Sequence, residues 1–130
     1  MGRTSTGDEV RGVTVRVLLV EDHAIFRELF ASSFESEPGL EVVAQAGSLA
    51  AAREALEAEP VDVAVLDLRL PDGHGTDLIG ELREKNPHAA TLVLTAGAAG
   101  VMHKSVGVGE VMDAIRRLAG ARLFSPVTRP

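Results

Sequence analysis

The chain has 130 residues, with 19 Asp+Glu against 13 Lys+Arg, a formal net charge of −6 and no cysteine. That length suits one domain with a core of its own; the missing thiols exclude a disulfide scaffold, a thiolate zinc site and a cysteine nucleophile, and the acidic balance argues against direct nucleic-acid or anionic-lipid binding by this chain. Aromatic residues make up 3%, four Phe with no Trp or Tyr, so the core is expected to be aliphatic and base-stacking platforms are not expected.

Residues 1–12 carry Gly, Thr, Ser and charge without periodicity and read as a disordered leader. They lack the apolar stretch of a signal peptide, and no apolar run nears the ~18 residues of a membrane span, so a cytoplasmic location away from membranes is expected. Val15–Val20 (VRVLLV) is almost wholly apolar, the pattern of a strand buried on both faces. A helix over His23–Glu35 follows, with Phe26, Phe30 and Phe34 at i, i+4, i+8 and Ile25 and Leu29 beside them. Pro38-Gly39 breaks it. Glu41–Ala46 reads as a second strand, and Ser48 caps a helix reaching about Glu59, with Leu49, Ala52 and Leu56 inward.

Pro60 ends that helix, and Val61–Leu66 is a third buried strand, closed by Asp67. The loop LRLPDGHG leads to a helix over Asp77–Lys85 that stops before Pro87. Thr91–Thr95 is a fourth strand, Gly100–His103 a fifth, and Val108–Ala119 a last helix striped by Val108, Val111, Met112, Ile115 and Leu118. Alternating strands and helices with buried β-branched runs predict a parallel sheet covered on both faces. Ligands in such folds sit at the carboxyl ends of the strands, and there stand Glu21, Asp22, Asp67, Thr95 and Lys104.

In a strand order 2-1-3-4-5 the first and third strands are neighbours, and their terminal carboxylates crowd together. Such a cluster invites a hard divalent cation, and Mg²⁺ takes one or two carboxylates, a backbone carbonyl and waters. Asp67 is also placed to act as a nucleophile on a phosphoryl group, forming an aspartyl-phosphate. That transfer needs charge neutralised on the equatorial oxygens, work suited to a metal, a lysine ammonium and a hydroxyl such as those of Lys104 and Thr95.

The segments VRVLLVEDHAIFRELF, VDVAVLDLRLPDGHG, TLVLTA and GVMHKS, in that order, resemble the receiver domain of two-component response regulators, of the type carrying a helix-turn-helix output. The likeness runs from Val15 to about Ser125. It implies a flavodoxin-like α/β fold, a five-stranded parallel sheet of order 2-1-3-4-5, with residues 13–122 as the domain and 123–130 as a tail or linker start. It implies Asp67 as phosphoacceptor, and Mg²⁺ held by Asp22, Asp67 and the Arg69 carbonyl, with Glu21 acting through water. Thr95 would be the switch hydroxyl and Lys104 the phosphoryl-binding lysine. It implies a sensor histidine kinase as partner and no enzymatic activity beyond the domain's own phosphotransfer and dephosphorylation; a homodimer is expected separately, because loss of a covering helix would bare apolar sheet surface.

Two departures stand out. Only eight residues separate Thr95 from Lys104, where the family has a connection containing a helix. The five steps from Thr95 to Gly100 reach at most ~18 Å, about the height of a five-residue strand at ~17 Å, so the helix between strands four and five is expected to be missing or reduced. Three outcomes stay open: a taut link within one chain, exchange of the fifth strand and last helix with a partner, or a Lys104 that misses the site. The second departure is Val101, where the family usually has an aromatic ring that reports phosphorylation. His103 reads as an ordinary exposed histidine, and His23, His74 and His88 show no ligand spacing. A phosphatase-type hydrolase or a cobalamin-binding domain would want Asp or His where Arg69 stands. The competing reading is a phosphorylation-independent interaction module of the same fold.

Overall fold

The structure, a computed structural model, describes residues 14–95, 102–103 and 109–118. Val15–Val20 forms β1, Ala24–Glu35 α1, Leu40–Ala46 β2, Leu49–Ala58 α2 and Val63–Asp67 β3. Arg69–Leu70 (β4) and Gly73–His74 (β5) make a small hairpin, followed by α3 at Asp77–Lys85, β6 at Ala90–Thr95 and β7 at Met102–His103. Residues 109–118 form α4. The main sheet is parallel, ordered β2-β1-β3-β6-β7, which is the predicted 2-1-3-4-5 arrangement with the hairpin set apart.

Successive residues of a strand point to opposite faces, and both faces are covered here, so Val17–Val20 of β1 and Val63–Leu66 of β3 are apolar at every position. Val17, Leu19, Val63 and Val65 pack with Phe30 and Phe34 of α1 and with Val111 and Ile115 of α4. Leu18, Val20, Ala64 and Leu66 pack on the other side with Leu49 and Leu56 of α2 and Leu78 and Leu82 of α3. The helices therefore cover both faces, and the aligned strand ends are left to carry polar groups. A bulge at Val17/Leu18 shifts the register of β1 on β2.

Phe26, Phe30 and Phe34 stack along α1 with centroid separations of 6.3 and 5.9 Å. Ile25 and Leu29, expected beside them, instead face outward, 81% and 49% exposed. The three rings already fill the stripe turned toward the sheet, so neighbours on that helix are rotated away from it. Ser48 caps α2 as its sequence position predicts, its hydroxyl accepting from the Ala51 N–H at 3.1 Å.

The end of the sheet departs from expectation. β7 is two residues long and pairs with β6 of the same chain, Leu94 with Met102 and Thr95 with His103. A return to the foot of the sheet is not needed, because the pairing begins only at the level of Leu94. The connecting residues 96–101, Val101 among them, lie outside the described residues, as do Lys104 and Val108. Among the described residues no helix is long and apolar enough to cross a membrane.

Candidate functional site at the carboxyl edge

Val20 lies opposite Leu66 in the β1–β3 ladder, so the next residues, Glu21 and Asp67, emerge side by side at the carboxyl edge. Both are buried, at 0% and 3% exposure, whereas Asp22 and His23 are exposed. Glu21, Asp22, His23 and Asp67 each present one donor atom within 4.8 Å of the others. Three carboxylates at that spacing repel one another, an arrangement that a cation relieves. Their oxygens suit a hard divalent ion, so the donor set fits Mg²⁺.

The backbone fixes this cluster from several directions. The Glu21 N–H donates to the Ala46 carbonyl at 2.9 Å, and the Arg27 guanidinium donates to the Glu21 carbonyl at 2.7 Å. Arg69 sits on β4, and its N–H points at Asp67 Oδ1 at a long 3.4 Å. β4 and β5 pair Arg69 with His74, so the second residue after β3 is held in a hairpin rather than in open loop. Gly75 donates to the Leu68 carbonyl at 2.8 Å. A Cβ at Gly75 would fall 2.1 Å from the Asp67 carbonyl oxygen, so no side chain fits there.

Asp72 ties the same hairpin to α2. Its two carboxylate oxygens accept from the Leu49 N–H at 2.8 Å and the Ala50 N–H at 3.0 Å. These two bonds favour the charged form and hold the Asp72 carboxyl below its ordinary value. An anion at a helix N-terminus is further favoured by the helix dipole. Pro71-Asp72-Gly73 is an ordinary turn sequence, but the Leu49 partner of Asp72 lies 23 residues away, which no local pattern reveals.

Of the residues singled out by sequence, Glu21, Asp22 and Asp67 come together as expected. Thr95 ends β6 one residue beyond Leu94, which is registered on Asp67, and its β7 neighbour is His103. Lys104 follows His103 directly in the chain and lies outside the described residues. His23 has no ligand spacing to His74 or His88, but its Nδ1 stands 2.9 Å from Glu21 Oε2 and 3.3 Å from Asp22 Oδ1. The signal for it was its adjacency to the Glu21-Asp22 pair.

Residues 17–116 match the response regulator receiver domain family. DevR/DosR, a DNA-binding transcriptional activator of Mycobacterium tuberculosis, is 36% identical over 83% of this chain and 56% of its own length. A protein-glutamate methylesterase/protein-glutamine glutaminase of Cereibacter sphaeroides is 31% identical over 96% of this chain and 38% of its own. A LuxR-family two-component response regulator from Aurantimonas sp. SI85-9A1 superposes with a TM-score of 0.70 at 33% identity, covering 82% of this chain and 86% of that one. The chain spans about half the length of the first of these curated relatives and less of the second.

Proposed function

The chain belongs to the response regulator receiver family, and from that premise we propose that Asp67 accepts a phosphoryl group in a Mg²⁺-dependent transfer from a sensor histidine kinase. Asp22, Asp67 and the Arg69 carbonyl would hold the ion, with Glu21 acting through water. A bound Mg²⁺ would supply positive charge against the phosphoryl oxygens. An Asp67 carboxylate oxygen attacks phosphorus, the bond from phosphorus to the donor's imidazole nitrogen breaks, and that imidazole leaves with the electron pair. The Thr95 hydroxyl and the Lys104 ammonium then steady the equatorial oxygens of the aspartyl-phosphate. No further enzymatic activity is assigned to the chain.

The single observation that supports this most is the meeting of the Glu21, Asp22 and Asp67 donor atoms at one strand edge within 4.8 Å. The output is proposed to be transcriptional, through a DNA-binding domain outside this chain, because DevR/DosR is the more similar of the two relatives described. Residues 13–122 are the proposed receiver unit, with 1–12 and 123–130 as flanking segments. A cytoplasmic homodimer completes the proposal, and light scattering across a concentration series tests its oligomeric part. The chain itself makes no direct contact with nucleic acid or membrane in this reading.

The test is incubation with acetyl phosphate and Mg²⁺ followed by intact-mass analysis. The expected result is the mass gain of one phosphoryl group, lost in Asp67→Asn and on chelation of the metal. Mass is the suitable readout because the chain has no Trp or Tyr to report binding by fluorescence. Absence of any adduct under these conditions favours the phosphorylation-independent interaction module. The specific observation behind that second reading is the two-residue β7 beside Thr95, a thin support for a switch.

A further inference from the structure

We propose that His23 supplies a nitrogen donor to the metal site and shifts its preference from Mg²⁺ toward borderline transition metals such as Co²⁺. The inference rests on the reading of the acidic cluster as the metal site of the transfer reaction. His23 occupies the N-cap position of α1, where a side chain ordinarily accepts from the first N–H groups of the helix. It makes no such cap bond. The ring instead stands edge-on to Phe26, with centroids 6.0 Å apart and planes at 85°, and directs Nδ1 to Glu21 Oε2 at 2.9 Å and Asp22 Oδ1 at 3.3 Å.

The peptide carrying the ring is fixed as well, since the His23 N–H donates to Glu21 Oε2 at 2.9 Å. Ligands of one small divalent ion at ~2.0–2.2 Å are at most about 4.4 Å apart. The four donor atoms span no more than 4.8 Å, so a closing motion of a few tenths of an ångström suffices. The His23 side chain is 61% exposed, and its ring turns without disturbing the core.

The chemistry gives the direction of the preference. Mg²⁺ favours oxygen and keeps its waters, so an imidazole adds little to its binding. Affinity for nitrogen-containing sites rises along the first-row divalent metals, and imidazole suits the later members. One nitrogen beside the Asp22 and Asp67 carboxylates therefore helps Co²⁺ far more than Mg²⁺.

Calorimetric titration of the full chain with Mg²⁺ and with Co²⁺ tests this, using the wild type, His23→Ala, His23→Gln and Asp67→Asn. The Co²⁺ site to be followed is the one lost in Asp67→Asn. Both His23 variants are expected to weaken it at least ~tenfold, the scale of losing one orienting or ligating group, while Mg²⁺ affinity changes less than ~threefold. Matched thermal melts show that the variants are folded. A His23→Gln protein that keeps Co²⁺ affinity, or His23→Ala affecting the two metals equally or not at all, overturns the proposal. If Mg²⁺ binds and acetyl phosphate labels Asp67 while Co²⁺ affinity ignores His23, this inference alone falls. If neither metal binds the wild type, the proposed function falls with it.

Discussion

Four residue pairs join β1 to β3, from Val17–Val63 to Val20–Leu66, and every residue of β3 is buried. Between β6 and β7 the ladder has two pairs, Leu94–Met102 and Thr95–His103. Both ladders open onto the same carboxyl edge. The first positions Glu21 and Asp67 from strands packed on both faces; the second brings in Thr95 and the residue before Lys104 on a two-residue edge strand. The contrast separates two tasks of a receiver. Gathering the carboxylates depends on the densest part of the core, whereas the edge proposed to present Thr95 and Lys104 carries only the two-residue β7.

The strongest challenge to this contrast is truncation in the dense half. Leu66→Ala removes a fully buried side chain and is expected to destabilise the fold by ~2–5 kcal/mol, measured by urea unfolding. The same change at half-buried Leu92 of β6 is expected to cost about half as much. Equal losses would remove the distinction between the two halves. Native-state hydrogen exchange sharpens it at finer grain: β1 and β3 amides are expected to open only with global unfolding, and β7 amides at a lower free energy.

Smaller effects concern the hairpin beside Asp67. Ser48→Ala removes one cap of α2 and is expected to cost ~1 kcal/mol. Asp72→Asn tests the charged cap by its pH dependence. The folded carboxyl titrates below its ordinary 3.8 because the Leu49 and Ala50 N–H groups favour the anion. Its stabilisation is therefore fully present above the unfolded value and lost as pH falls through the folded one. The stability gap between wild type and Asp72→Asn is expected to close across that acid range, and a gap that stays constant would remove charge from the explanation.

Much of the fold was legible because its determinants are local. The apolar runs of β1 and β3, the Ser48 cap and the breaks at Pro38-Gly39 and Pro60 act within a few residues of themselves. The carboxylate cluster was legible for a related reason: parallel strands deliver their terminal residues to one edge whatever their separation in sequence. What escaped depends on partners or rotations that spacing does not encode. Asp72 finds its partners on α2, His23 turns from the helix it begins toward the carboxylates, and Ile25 and Leu29 turn outward once three Phe rings fill the inner stripe. The depth to which β7 returns was likewise set by its pairing with Leu94 and Thr95, not by strand height.

A deep mutational scan of this chain would rank Gly75 among its most sensitive positions, although it carries no atom that touches a phosphate or a metal. A methyl group there would meet the Asp67 carbonyl oxygen from behind, so the β3 terminus or the hairpin would have to give way. Such a profile invites assignment of a chemical role to a residue whose whole contribution is the space it leaves empty. Comparing Gly75→Ala with Gly80→Ala, where a Cβ meets nothing within 4 Å, would separate absence of room from loss of chemistry.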